Sequence, residues 1–586
     1  MTEALPSSGG IAIDSTSRPK FLARLTLPSP SALILIVIVA LLVIPPLWFL
    51  VQGSFFINKL DGSLGPFTWR YYARLFEDAR LIASAVNSCI FAVGSAIVAI
   101  VFGGLLAWLV ERTNAPLKPL AYLTTIISLG TPYVLYVSAW LFLLGKAGPL
   151  NAIYRNLTGS ADVLFNVYSM SGMILIEGFL WSPLVFLLLS ATFRAANPEL
   201  EEAARMSGAG VWDTFRRITF GLAMPALLAL VLLVFIRAIE SFEVPALVGI
   251  PGRVHVLTTD IFLEIRGRVP PDLGYASAFA SVLLVVVGVL LHFYSRVSKH
   301  AERFHTVTGK GFRPRPFDLG KARHLGGAII LVNFLLVLAL PTVVLIWASL
   351  LPFYQTFSVK ALALLSFANY RTVFASGLYL DLVWNTVLVS AASATIVMAL
   401  TLLAGWIAAR RRPGGALLDQ LASSPLIFPG IVLGVAIMQV FLALPFKIYG
   451  TIWILIIAFV VRYLPYGMRY SYTGVLQIHN ELEEAASVAG AAPLTTLRRV
   501  IAPLLAPAIF SGWLFIFLLG TRLLSLPILL AGPSSQTMAV AMFDMWSNGQ
   551  GTELAALGLT WTALMTAIAC VFYILSRRGA SDAYSR

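Results

Sequence analysis

Six charged residues lie inside or at the ends of long apolar runs: Glu177, Arg237, Glu240, Glu243, Arg462 and Arg522. A charge at mid-bilayer costs about 3 kcal/mol on insertion scales, so such residues are paired or line a polar path. Arg237, Glu240 and Glu243 are spaced i, i+3, i+6 and broadly share a helix face. Two readings follow: ion pairs at an interface, or the outer mouth of a pathway. Covalent chemistry has no comparable candidates. Gly145-Lys146 and Gly309-Lys310 lack the glycine spacing and the following Ser or Thr of a phosphate-binding loop. His255, His292, His300, His305, His324 and His479 show no metal-ligand spacing, and the two cysteines, Cys89 and Cys570, sit far apart in apolar surroundings. The expectation is no catalytic residue, no metal site and no cofactor held by this chain.

A second constellation is polar. In 197–221, Asn197 is a natural helix cap, Pro198 suits the first helical position, and Glu199, Glu201 and Glu202 favour the positive end of the helix dipole. Gly208 is a helix stop, and a second short helix carries Arg216 and Arg217. The pattern returns 282 residues later. Glu202-Ala203-Ala204 becomes Glu484-Ala485-Ala486, Gly208 becomes Gly490, and Arg216-Arg217 becomes Arg498-Arg499. There Asn480 reads as the cap and Glu483 as its capping-box partner. A single copy reads equally well as an amphipathic loop closing two spans. Two copies at matched positions argue for a shared task.

The elements that must position these residues follow from composition. Of 586 residues, 59% are apolar and 12% charged, against about a quarter charged in soluble domains. Apolar runs near 29–52, 83–110, 119–145, 170–193, 222–249 and 275–296 are followed by six more near 325–351, 381–409, 417–445, 449–472, 503–531 and 554–576. At about 20 residues per crossing, the expectation is an all-α polytopic membrane protein of twelve spans in two parallel six-helix halves. Residues 1–28 form an N-terminal tail, 29–296 one half, 297–324 a basic linker, 325–576 the other half and 577–586 a C-terminal tail. Earlier in each half the repeat offset is 298, pairing Tyr72 with Tyr370, Asn87 with Asn385 and Trp108 with Trp406. Pro132 and Pro429 read as matched kinks. With both termini inside, 25 of the 41 basic residues fall in cytoplasmic segments and 12 in outer ones. That bias explains the net charge of +14 without nucleic acid. At the 282 offset Glu240 maps to Arg522, which leaves two readings: an acid and a base facing each other across the outer mouth, or each charge meeting water or Arg237 instead.

Glu-Ala-Ala, three residues, Gly, then nine residues to Ile218 or Val500 resembles the cytoplasmic signature of ABC importer permeases of the binding-protein-dependent class. The resemblance covers essentially the whole chain. The family often closes this motif with Ile-x-Leu-Pro, whereas here the copies read Ile218-Thr219-Phe220-Gly221 and Val500-Ile501-Ala502-Pro503. The resemblance implies a coupling helix docked in a groove of a cytoplasmic ATPase. Glu202, Ala203, Ala204 and Gly208, with Arg216 and Arg217 behind them, would serve one ATPase copy. Glu484, Ala485, Ala486 and Gly490, with Arg498 and Arg499, would serve the other. It further implies a periplasmic binding protein above, a bacterial inner membrane around the chain, and ATP used only by the partner subunits. Phe242-Glu243-Val244-Pro245 and the stretch 520–533 resemble the Fe(III) importer type, and thiamine, phosphonate and polyamine permeases share parts of the pattern. An ion-coupled secondary transporter is the alternative from another class; the paired cytoplasmic motifs argue against it.

Overall fold

The computed structural model describes residues 29–59, 64–195, 199–302, 316–375, 377–445 and 447–584. The first half contains α1 (Pro30–Phe55), α2 (Ala79–Arg112), α3 (Lys118–Gly130), α4 (Tyr133–Leu144), α5 (Met170–Ala195), α6 (Glu199–Met206), α7 (Phe220–Glu240), α8 (Leu257–Arg266) and α9 (Leu273–Glu302). The second contains α10 (Gly320–Ser349), then α11 (Leu378–Ala409), α12 (Gly415–Ser423), α13 (Gly430–Ala443), α14 (Ile452–Leu476), α15 (Glu481–Val488), α16 (Ala502–Gly520), α17 (Met538–Ser547) and α18 (Gly551–Tyr584). One short hairpin, Phe56–Asn58 with Leu64–Phe67, follows α1.

The fold is all-α and polytopic. Among the described residues, ten helices are long and apolar enough to cross a membrane, or eleven if one bent pair counts as a span. The ten omit two of the expected twelve, the ninth run, which is the bent pair, and the twelfth; the third is counted as Tyr133–Thr158. The third run breaks between α3 and α4, where Pro132 has no N–H to give and holds Thr131 extended. The ninth breaks before Pro429 and turns by 108° into α13. The two prolines therefore end helices rather than kink them. The stretch 146–169, between the third and fourth apolar runs, holds the helix Pro149–Thr158. The twelfth run lies in α18, whose side chains beyond Ile568 are outside the described residues, and α18 continues through most of 577–584.

Helices α2 and α5 show how an apolar chain packs when lipid competes for its side chains. The face of α2 turned inward carries Ser88, Ala92, Ser95, Ala96, Ala99 and Gly103, small enough for close backbone approach. Its other face exposes Ile90, Val93, Ile97 and Val101. Repeat-related bonds recur in both halves. Ser88 Oγ accepts from Leu257 N at 3.0 Å and Thr386 Oγ1 from Met538 N at 2.8 Å, each capping the first turn of α8 or α17. Ser54–Tyr72 and Ser349–Tyr370 hydroxyls both meet at 2.9 Å. Residues 303–315 of the linker lie outside the described residues; its end is stitched to α2, with Phe317 N donating to Arg112 O at 2.7 Å and Asn114 N donating to Phe317 O at 3.0 Å.

Candidate functional site: two loop helices and a central cavity

Helices α6 and α15 occupy equivalent places in the two halves, each between the fourth and fifth spans. Each closes in the same way: Ala209 N donates to Ala204 O and Ala491 N to Ala486 O, both at 3.0 Å. The residue between is a glycine in the left-handed region, Gly208 at φ +83° and Gly490 at φ +81°, where a side chain is costly. The chain then passes through a short turn of helix and a π turn, Phe215–Thr219 or Leu497–Ile501, that carries Arg216-Arg217 or Arg498-Arg499. All four arginines are exposed.

The first glutamate of each motif points inward. Glu201 is buried, lies 3.4 Å from Arg112 at the end of α2, and accepts from Thr219 Oγ1 at 2.6 Å. Glu483 lies 2.7 Å from Arg410 at the end of α11 and 3.2 Å from Arg412, and accepts from Trp406 Nε1 at 3.2 Å. Burial lowers the pKa of Arg412, and Glu483 opposes that shift. The Arg412 guanidinium also sits 3.7 Å over the Trp406 ring. The sequence pattern had placed Glu483 in a capping box. In the structure Asn480 has helical backbone angles and makes no side-chain cap bond, and the Glu483 carboxylate is taken by two arginines and an indole. Asn197 and Pro198 lie outside the described residues. The anchors were legible in principle: Glu201 maps to Glu483 at the 282 offset, and Arg112 to Arg410 at 298.

The rest of each motif faces outward. Ala203, Glu484 and Ala485 are exposed; Glu202, Ala204 and Ala486 are half-buried. Around them stand apolar residues with matched exposure, Met206 and Val488 at 89%, Trp212 at 67% and Leu494 at 66%. Two loops that only closed spans would not need equivalent bare apolar tips.

All six intramembrane charges line a single cavity of about 370 Å³ between the halves. Arg237, on the last turn of α7, donates to Glu240 Oε2 at 3.0 Å and to Tyr466 OH at 3.1 Å. Arg462, from α14 of the other half, lies 3.6 Å from the same Glu240 oxygen and donates to Phe428 O. The Glu243 carboxylate accepts from the backbone N–H of Phe242 at 3.4 Å and faces the backbone amides of Leu524 and Ser525 across the half boundary. Glu177 accepts from Trp181 Nε1 at 2.9 Å and from Ser241 Oγ at 3.1 Å.

The cross-half partner of Glu240 is thus Arg462 rather than the position-matched Arg522. Helix α7 runs to Glu240, but its mate α16 ends at Gly520, the equivalent of Ala238. Arg522 has therefore left the helix, and its guanidinium lies 4.7 Å over the ring of Tyr133.

Helices α8 and α17 contribute no residue to the cavity lining; Thr258 Oγ1, on α8, donates to the carbonyl of Ser241, which does line it, at 2.7 Å. Phe242, Phe262 and Phe543 form a ring cluster with centroids 5.1–6.4 Å apart. Arg266 Nη2 ties α8 to Ile528 O of the other half at 2.9 Å. On α8, burial raises the pKa of Asp260, which accepts a hydrogen bond from Ser84. Burial likewise raises that of Glu264, opposed by Arg268 at 2.8 Å.

Comparison with known proteins agrees with this two-fold arrangement. Residues 99–301 and 401–580 each match the family described as binding-protein-dependent transport system inner membrane component. The ferric transport system permease protein FbpB of Actinobacillus pleuropneumoniae is 26% identical over 507 residues, covering 85% of this chain and 72% of that protein. A Haemophilus influenzae protein named as a ferric transport system permease, FbpB 1, is 27% identical over 450 residues, covering 75% and 68%. The spermidine/putrescine permease PotB of Salmonella typhimurium is 27% identical over 259 residues, 43% of this chain and 86% of PotB. Both loop helices and all six cavity charges fall within the matched segments. The chain belongs to the binding-protein-dependent transport system inner membrane component family and carries that family's domain twice in one polypeptide.

Proposed function

We propose that this ABC importer permease of the bacterial inner membrane carries Fe(III), handed over by a periplasmic binding protein and driven by two cytoplasmic ATPase subunits that α6 and α15 engage. The chain itself hydrolyses nothing. Its termini and its 297–324 linker are cytoplasmic, by the charge bias of its loops. The observation that carries the reading is the gathering of six costly charges from both halves around one cavity. A structural protein has no reason to bear that cost.

The cargo rests on two supports. Two relatives that span most of this chain are named as ferric permeases, while a third is named only as an ABC transporter permease. The segment 242–245, which resembles the iron type, contributes Glu243 to the cavity wall. Coupling rests on the matched outward faces of α6 and α15. ATP-driven closure of the ATPases would draw those helices together, and the halves would exchange which end of the cavity is open. The test is uptake of radiolabelled iron by proteoliposomes containing the permease with its ATPase and binding protein. ATP-dependent iron accumulation is expected. Uptake of thiamine, a phosphonate or a polyamine with no iron would replace the cargo and leave the importer reading intact.

A further inference from the structure

We propose that Arg266 and Glu243 form a latch, supplied by the first half, that holds the outer end of the pathway shut by binding the backbone of the second half. The proposal rests on the importer reading above and not on the nature of the cargo.

Helices α7 and α16 run about 30 Å, at about 1.5 Å per residue, away from the loop-helix motifs that precede them. Each then breaks, although its apolar run continues. The connectors that follow, 241–250 and 523–531, hold the matched turns Pro245–Gly249 and Pro527–Leu530, and every residue of both turns is buried. The first residues of the connectors, Ser241, Glu243, Leu523 and Ser525, line the cavity. Leu233 and Phe515 line it farther back along α7 and α16, toward the loop helices. The connectors therefore close the end away from the coupling motifs, which is the outer end of an importer.

A helix that breaks at membrane depth leaves backbone groups without helical partners, and in an apolar interior each must find another. In the second connector, partners for three such groups come from the first half. Ile528 O accepts from Arg266 Nη2 at 2.9 Å. The amides of Leu524 and Ser525, in the gap after α16, face the Glu243 carboxylate. Arg266 also attracts the Asp544 carboxylate of α17, again across the boundary. The matching side chains of the second half are uncharged. Glu243 maps to Ser525 at the 282 offset, and Arg266 to Ser547 at the 281 offset that pairs Leu257 with Met538.

When the halves part, water reaches these backbone groups and satisfies them. The latch thus stabilises the closed outer end and contributes nothing to the open one. Removing it shifts the equilibrium toward the state in which the ATPases close. Arg266 lies outside the cavity lining and is exposed, so its substitution reports on the latch and not on cargo binding.

The test uses the complete complex of permease and ATPase in proteoliposomes, with ATP hydrolysis measured first without and then with the binding protein. Arg266→Met should raise the unstimulated rate about fivefold, the population shift for one partly exposed charge-assisted hydrogen bond. Stimulation by the binding protein should shrink to match. Arg266→Lys, which keeps a charged donor, should raise the unstimulated rate less, and Glu243→Gln should act in the same direction as Arg266→Met. Labelling gives a second measurement, in a Cys89→Ser, Cys570→Ser background. Ser525→Cys should react about fivefold faster with an impermeant maleimide in intact cells once Arg266→Met is added. Damage to the fold would instead lower hydrolysis both with and without the binding protein. An unstimulated rate unchanged or lowered in Arg266→Met, or labelling of Ser525→Cys no faster, would overturn the latch and leave the importer reading standing. A wild-type permease that binds no ATPase would remove the importer reading and the latch together.

Discussion

Glu483 Oε1 lies 2.7 Å from Arg410 Nε, and the repeat-equivalent Glu201 Oε2 lies 3.4 Å from Arg112 Nη1. Each pair ties a loop helix to the end of the second span of its own half. The two adjacent glutamates of each motif thus divide the work: one anchors the helix inward, and its neighbour, Glu202 or Glu484, is left toward the outer face. A loop helix fixed to a span can transmit displacement; one held only by its flanking chain would yield.

Breaking these anchors should uncouple the halves from their drive. Removing one partner of a buried ion pair costs about 3–5 kcal/mol, and Arg112 and Glu201 are the more deeply buried set. Glu201→Gln and Glu483→Gln should each cut ATP-dependent uptake at least tenfold, while membrane insertion and yield stay near wild type. Wild-type uptake in both variants would show that the anchors are dispensable.

Gly208 and Gly490 have open space around the position of a Cβ, so the penalty for substitution there is conformational. A β-branched residue forced left-handed costs about 1–2 kcal/mol. Gly208→Val and Gly490→Val should weaken co-purification of the ATPase and reduce uptake. Gly208→Asn should stay close to wild type, since asparagine tolerates that region. Glu202→Lys, which reverses charge on the outward face, should also weaken association. Unchanged ATPase binding in the valine variants and in Glu202→Lys would defeat the coupling assignment.

The Glu240–Arg462 contact spans the two halves and should behave as a pair. Glu240→Arg and Arg462→Glu should each impair uptake strongly, and the double swap should recover part of it. A coupling energy of about 0.5–3 kcal/mol is the range for residues in contact. Purely additive losses would mean that the 3.6 Å approach has no energetic consequence.

Topology can be read by cysteine accessibility in a background with Cys89→Ser and Cys570→Ser. Lys146 and Lys321 are both exposed. A membrane-impermeant maleimide should label Lys146→Cys in intact cells and spare Lys321→Cys until the cells are opened. The reverse pattern would invert the orientation of the chain.

Much of this molecule is written along one dimension. The apolar runs, the two offsets of the repeat and the double Glu-Ala-Ala motif follow from residue order alone. So does the presence of six charges too costly to leave in lipid. What order could not decide is who meets whom. A two-fold repeat pairs positions, but ion pairs form between side chains that share a depth and a direction. Helix α16 stops two residues short of its counterpart, which takes Arg522 off the helix and brings Arg462 to Glu240. Proline marks a place where a helix is weakened; whether the chain bends or breaks there depends on what packs beside it, and at Pro429 it turned by 108°. The capping-box spacing of Glu483 was sound as local chemistry. It lost to Arg410, Arg412 and Trp406, because two guanidinium groups in a half-buried site bind a carboxylate more strongly than one backbone amide does. Residue order sets which groups are available, and tertiary packing sets the distances over which their electrostatic interactions, steep in separation and in dielectric, are decided.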